Sequence, residues 1–276
     1  MRAGAEFPFT RSTNRADWPE FLPGFVRRRG MSRATQVILV CSARARLGKT
    51  LVSRLLVEYC RADAQPVVAY TINPIDVALG DFLPAAADTV SLAETKGQMA
   101  LFDHLVLDDA VTKVVDIGHQ ALDKFFTIAY DIELAAEARG CGIDVIVAYV
   151  ADPSDLSART YTALQARFPE FAFVPVFNEA VARGIQFQSM FVARPGGTQP
   201  LNIPKLAPQV HAIVDHYPFS FIEFLRRPPP NLPRALLDEV DGLVKRFNRQ
   251  WRETELSLLL NRLRASLSDK LPRTGI

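Results

Sequence analysis

Cysteine is scarce in this chain, with three in 276 residues. Cys41, Cys60 and Cys141 lie in or beside apolar segments and share no short metal-ligand spacing, which argues against a disulfide framework and against a zinc site. Buried thiols in a reducing compartment are the expectation. No apolar run approaches the roughly 20 residues that a helix needs to cross a bilayer. The opening residues, MRAGAEFPFTRSTNRADWPEF, also lack the apolar core of a secretory signal. A cytoplasmic protein without transmembrane association is expected.

What is present suits a folded protein. Hydrophobic residues make up 49% and charged residues 22%, enough for one large domain with at most a small appendage. The formal net charge of +2 is unevenly spread. Residues 1–34 hold seven Arg against three acids, residues 226–276 hold eleven Arg or Lys against six, and the middle is net acidic. Either end offers a basic surface to nucleic acid, an acidic partner or an anionic membrane, or is simply solvated. Residues 1–33 mix Pro, Gly, Arg and aromatics without a period, and Met31 falls just before the first strand-like run. They read as a flexible arm or as the product of an early start codon. The expected organisation is this arm, a domain over 34–225 and a helical extension over 226–276.

Strand-like runs occur at 35–41, 66–72, 112–117, 143–150 and 171–177, several of them continuously apolar, as strands covered on both faces are. Helical patterns lie between them: KTLVSRLLVEYCRA after the first, DKFFTIAYDIELAAEARG before the fourth, and SDLSARTYTALQARF before the fifth. The last has Ser or Asp placed to cap its start. This alternation predicts an α/β fold, a mostly parallel sheet with helices on both faces, whose ligands sit beyond the carboxyl ends of the strands. Pro228–Pro230 should stop a helix, and the segment after it reads as one long or two shorter amphipathic helices facing the domain or another subunit.

The stretch VILVCSARARLGKTLVSRLL places a loop between the first strand and the first helix. Ala45, Arg46, Leu47, Gly48, Lys49, Thr50 and Leu51 are the candidate phosphate cradle, with free amides and the positive end of a helix dipole to hold an anion. Lys49 can reach a β- or γ-phosphate, and the Thr50 hydroxyl suits a magnesium ion. The usual pattern is G-x-x-x-x-G-K-[ST], and Ala43 stands at its first glycine. Alanine is harmless there if φ is negative; a left-handed backbone would cost about 1 kcal/mol or more. A structural turn or an empty site is the alternative reading. Asp116 closes the third strand-like run at the sheet's carboxyl edge, where a carboxylate can hold water in a magnesium shell opposite Thr50.

With these residues in place, the chain resembles the ParA/MinD family of P-loop ATPases, of the SIMIBI class, over about residues 35–222. RARLGKT is similar to the family's K-G-G-x-G-K-[ST] loop, with Arg44 at the signature lysine that reaches a partner's phosphates across a nucleotide-sandwich dimer. VVAYTINPID resembles the second-strand motif, with Asn73 at the aspartate that arranges the attacking water and Thr71 at the earlier aspartate; Asn73-Pro74 is also an ordinary turn start. TKVVDIGHQ resembles the Walker B strand, which assigns Asp116 to magnesium. Asp152 lies where the family's partner-responsive loop begins, and an Asp-Pro turn accounts for it equally well. Asn178 resembles the residue that reads adenine, with Glu179 in place of the usual basic neighbour, and Ile203 and Pro204 resemble the loop lining the base.

The resemblance implies an ATP- and Mg2+-binding protein, a slow ATPase working as a nucleotide-dependent homodimer with a protein partner, in protein positioning such as plasmid partition or transfer. On that reading Lys49, Asn73, Asp116 and Arg44 carry the chemistry. A non-hydrolysing regulatory module and a small-molecule kinase of the same fold are the alternatives. A guanine switch is weaker, because no N-K-x-D stretch follows the fifth strand.

Overall fold

The computed structural model describes residues 35–74, 77–181, 189–191 and 198–270, with no side-chain description from 265 onward. The chain divides into Met1–Met31 and Ser32–Ile276; the arm expected at 1–33 lies outside the described residues, apart from which everything below concerns the second unit.

Seven strands form one parallel sheet: β1 Gln36–Cys41, β2 Val67–Ile72, β3 Ala87–Val90, β4 Thr112–Ile117, β5 Asp144–Ala151, β6 Ala172–Asn178 and β7 Leu201–Ile203. Their order is β3-β2-β4-β1-β5-β6-β7, and every neighbouring pair is parallel. The helices are α1 Lys49–Ala62, α2 Leu79–Phe82, α3 Thr95–Leu105, α4 Leu122–Asp131, α5 Leu134–Gly140, α6 Asp155–Arg167, α7 Pro208–Val214, α8 Phe221–Arg226 and α9 Arg234–Lys270.

Alternation along the central strands sends side chains into two separate cores. Val37, Leu39 and Cys41 of β1 join Val147 and Tyr149 of β5 in one core, which α3 to α6 cover through Phe102, Phe125, Leu134 and Tyr161. Ile38 and Val40 join Ile146 and Ala148 in the other, covered by α1, α2, α7, α8 and α9. Both β1 and β4 are buried throughout their length, and coverage on both faces is why their middles are runs of Val, Ile and Leu. The parallel α/β architecture expected from the sequence is present.

Three features depart from the sequence expectations. The edge strands β3 and β7 and the helices α2, α3, α7 and α8 had no expected counterpart. The stretch from 122 to 140 is two helices instead of one, broken at Glu133, whose φ is 54°. A continuous helix would extend the stripe Leu122, Phe125, Phe126, Ala129 onto Glu133; the break shifts the phase so that Leu134 and Ala138 are buried instead. Ser154 caps α6 as expected, its hydroxyl accepting from Ser157 N at 3.2 Å.

The segment after the prolines is a single helix of 37 residues, α9. Val240, Leu243, Phe247 and Trp251 bury its first half in the same core as α1. Gln250 brackets β7, accepting from Asn202 N at 2.8 Å and donating to Asn202 O at 3.1 Å. No helix among the described residues is long and apolar enough to cross a membrane.

Candidate functional site

The loop after β1 lies at the middle of the sheet, between the ends of β4 and β5. Asp116 pairs in register with Val40, so the last residues of β1 and β4 emerge side by side. This register brings the Thr50 hydroxyl, at the start of α1, to donate to Asp116 Oδ2 at 2.8 Å. Lys49 Nζ folds back over the loop, donating to Ser42 Oγ at 3.0 Å and to Arg44 O at 3.3 Å. Ser42 Oγ in turn donates to Arg44 O at 2.6 Å. An ammonium, a hydroxyl and a carboxylate therefore converge at the start of α1, around backbone shaped for an anion.

Backbone conformation settles where the missing glycine matters. Ala43 and Ala45 are not left-handed; Arg46 is, at φ 59°, and it occupies a loop position where the K-G-G-x-G-K pattern has glycine. Gly48 caps α1 at φ 94° and ψ 21°. A Cβ on Gly48 would lie 2.7 Å from Asn178 Nδ2, so this glycine meets both a backbone and a steric requirement. The strain of the departed pattern falls on Arg46 and not on Ala43. Arg44, Ala45 and Arg46 are exposed along the loop, Leu47 is buried and Leu51 half-buried.

Burial dominates the electrostatics. Asp116 is 3% exposed, and desolvation pushes its carboxyl up to about 6, against the opposing Thr50 hydrogen bond and Lys49 charge. Lys49 is held below the ordinary lysine range by burial, with Asp116 pulling it back up. Burial pushes the Cys41 thiol up to about 12, which makes it an inert core thiol. A buried carboxylate raised this far, hydrogen-bonded to a hydroxyl and facing the sheet's carboxyl edge, fits a divalent cation that would supply the missing positive charge. Among the described residues there is no cluster of three His, Cys, Asp or Glu able to hold a metal by itself; a cation at Thr50 and Asp116 would need further oxygen ligands, from phosphate or water.

The other expected residues divide between those at the loop and those beside it. Asn178 joins it directly: its Nδ2 donates to Leu47 O at 3.0 Å and its Oδ1 accepts from Ala180 N at 3.0 Å. Glu179 N donates to Ile203 O at 3.0 Å, and Glu179 Oε2 accepts from Lys205 N at 3.3 Å, which ties Ile203 and Pro204 beside Asn178. Asn73 directly follows β2 in a left-handed conformation at φ 45°. Its Oδ1 accepts from Leu92 N at 3.1 Å, so part of its polar capacity fixes the turn after β3. Gly118, two residues beyond Asp116, presses on this end: a Cβ there would lie 2.6 Å from Asn73 O and 2.7 Å from Ile72 O. Thr71 Oγ1 accepts from Leu79 N at 2.9 Å, a structural cap on α2. Asp76, the carboxylate three residues beyond Asn73 in VVAYTINPID, lies outside the described residues.

One participant, Ser42, escaped the sequence reading. It anchors Lys49, and its only signal was a hydroxyl directly after an apolar strand. Asp152 makes the Asp-Pro turn, its Oδ1 accepting from Ser154 N at 2.8 Å, yet it is 2% exposed and its Oδ2 has no hydrogen-bond partner among the described residues.

No protein-family model and no curated protein matches the sequence. Among solved structures, the chain is similar to a ParA family ATPase from Chlorobium tepidum TLS, at 14% identity over 82% of this chain and 98% of that one, with a TM-score of 0.44. It is similar to the MinD cell division protein of Aquifex aeolicus at 13% identity, over 76% and 98% of the two chains, with a TM-score of 0.42. FlhF complexed with GMPPNP and Mg2+ aligns at 13% identity over 61% of this chain and 64% of that one, with a TM-score of 0.32. The strand order and the loop geometry carry the fold by themselves.

Proposed function

We propose that the chain binds ATP with magnesium at the loop from Ser42 to Leu51 and acts as a slow ATPase whose nucleotide state controls its assembly. The observation that carries this reading is the junction at the start of α1: the Thr50 hydroxyl on the buried Asp116 carboxylate at 2.8 Å, beside a Lys49 ammonium held by the loop itself. Lys49 would exchange its Ser42 and Arg44 O contacts for phosphate oxygens, which strengthens the bond by giving a charged acceptor. Thr50 and Asp116 would hold the magnesium ion, which supplies charge neutralisation to the β- and γ-phosphates. Asn178, Ile203 and Pro204 would border the base, and Arg44, exposed on the loop, would meet phosphate charge from outside the cradle.

Asn73 favours slow hydrolysis. Its amide can orient a water but takes no proton and carries no charge, and its Oδ1 is committed to Leu92 N. A non-hydrolysing switch is the second reading on the same ground; phosphate release abolished by Lys49→Ala separates it from the ATPase. A role in plasmid partition or transfer, with a protein partner, extends the proposal by family analogy.

Calorimetric titration with magnesium ATP tests the core of the proposal. Lys49→Ala should weaken binding by roughly 10- to 100-fold, the equivalent of a lost hydrogen bond to a charged group, while circular dichroism shows the variant folded. Equal affinities in the two folded proteins would remove the proposed site.

A further inference from the structure

Helix α9 carries apolar residues on two opposite faces. Trp251 and Thr254 continue the buried stripe begun by Val240, Leu243 and Phe247, and Leu258 packs against the same core. A second stripe begins at Leu256: Leu256, Leu259, Leu260 and Leu263 are 54%, 41%, 52% and 51% exposed. At 3.6 residues per turn these four fall within an arc of roughly 100°, on the side of the helix away from Trp251. Single exposed leucines are ordinary, whereas four adjoining on one helix face mark a contact surface. The segment is held in place, since Tyr59 Oη donates to Glu255 Oε2 at 2.8 Å and Arg262 Nη1 pairs with Asp144 Oδ2 at 2.5 Å.

We propose that this face pairs antiparallel with the same face of a second copy of the chain, giving a homodimer contact independent of nucleotide. Its charges select that occupant. Helical spacing puts Glu253 and Arg264 on one flank of the leucine stripe, Glu255 and Arg262 on the other. In an antiparallel pair each flank meets its own copy in reversed order. Centring the pair between Leu259 and Leu260 sets Leu256 across from the partner's Leu263 and Leu259 across from the partner's Leu260. The same register carries Glu253 to within about two residues, or ~3 Å along the axis, of the partner's Arg264. Glu255 comes equally near the partner's Arg262, where both groups share their existing bonds to Tyr59 and Asp144. A parallel pair would instead set each charge beside its like. An anionic membrane would attract the Arg residues beside these leucines but repel Glu253 and Glu255, whereas the antiparallel pair gives each acid a basic partner.

Sedimentation of the full chain without nucleotide, over nanomolar to high micromolar concentration, reads the contact. A monomer–dimer equilibrium is expected, with its Kd raised at least tenfold by Leu256→Glu combined with Leu260→Glu, the fold being checked by circular dichroism. Glu253→Arg and Arg264→Glu should each weaken the dimer, and the double reversal should restore it. For geometry, Cys141, the exposed cysteine among the described residues, is first replaced by Ser. Leu259→Cys should then form a disulfide with its own copy on oxidation. Arg249→Cys, on the same face but roughly 30 Å from its copy along an antiparallel pair, should not. A monomer at every concentration, a dimer indifferent to the leucine changes, or ready cross-linking at Arg249→Cys would overturn the proposal. So would failure of the double charge reversal to rescue, or a monomer that binds only anionic phosphatidylserine vesicles.

Discussion

Arg46 and Asp116 are the residues where loop geometry becomes measurable stability. Arg46 holds φ 59° with a Cβ in place, which costs about 1 kcal/mol, partly offset because glycine loses more freedom on folding. With Arg46→Ala as reference, so that side-chain contacts cancel, Arg46→Gly should be more stable by roughly 0.5 kcal/mol. Ala43→Gly should shift the other way by a similar amount, since Ala43 is not left-handed. Urea unfolding of the three variants decides; the same sign at both positions would show that the strain has been misplaced. Asp116 adds a pH dependence. Its folded pKa, about 6, lies above its ordinary value of 3.8, so the folded protein binds the proton more tightly than the unfolded chain. The associated stability is complete below about pH 4 and is lost as pH rises through about 6. Asp116→Asn should therefore stabilise the nucleotide-free protein at pH 8, by up to roughly 3 kcal/mol, and change little at pH 4. A difference between the two proteins that does not vary with pH would contradict this account.

At the level of elements, α1 is tied to the carboxyl-terminal helices through two buried charged side chains, Arg54 and Glu58. Arg54 is 1% exposed, donates Nη1 to Val214 O at 2.8 Å, and sets its guanidinium 3.9 Å from the centre of the Phe82 ring. Glu58, one turn on, accepts from Phe221 N at 3.0 Å and Ile222 N at 2.7 Å, capping α8. Burial lowers the arginine and raises the glutamate, and Arg54 draws part of its compensation from Glu58. Arg54→Met removes the hydrogen bond to Val214 O and the contact with the Phe82 ring, and should cost about 1–3 kcal/mol. Arg54→Met with Glu58→Gln should cost less than the sum of the two single changes, in a double-mutant cycle read by denaturant; additive losses would mean the groups are not coupled. None of this pairing was legible in the sequence, because its contacts run between residues about 160 apart. Legibility followed burial. The five longer strands announce themselves as runs rich in Val and Ile, while β3, with its exposed Asp88 and Thr89, and the three-residue β7 do not. The site divides the same way. Lys49, Thr50 and Asp116 are readable from fixed local spacing and a strand end, whereas the clamp of Asn178 on Leu47 O spans 131 residues and exists only once the sheet is assembled.

For the whole molecule, the two proposed contacts lie on different surfaces: one at the carboxyl edge of the sheet, where Arg44 is exposed, the other on the outer face of α9. Each is isologous, so each alone closes a dimer, and both together can link protomers into larger assemblies. This matters for any test of nucleotide control, because a dimer held by α9 would mask one made across the loop. Leu256→Glu with Leu260→Glu is the background in which to look. There, sedimentation at one subunit concentration should find monomer without nucleotide and with ADP, and dimer with a non-hydrolysable ATP analogue. A ligand shifts such an equilibrium only by binding the two states differently, and the γ-phosphate is the group that ADP lacks and an arginine from across an interface can grip in bidentate fashion. Arg44→Ala should therefore remove the ATP-specific dimer while leaving calorimetric ATP binding within a few fold. Arg44→Lys, which keeps the charge but loses the planar fork, should retain part of it. A monomer in all three states would refute nucleotide-controlled dimerisation at the loop face. An ATP dimer that survives Arg44→Ala would keep that dimerisation and assign the γ-phosphate contact to a different group.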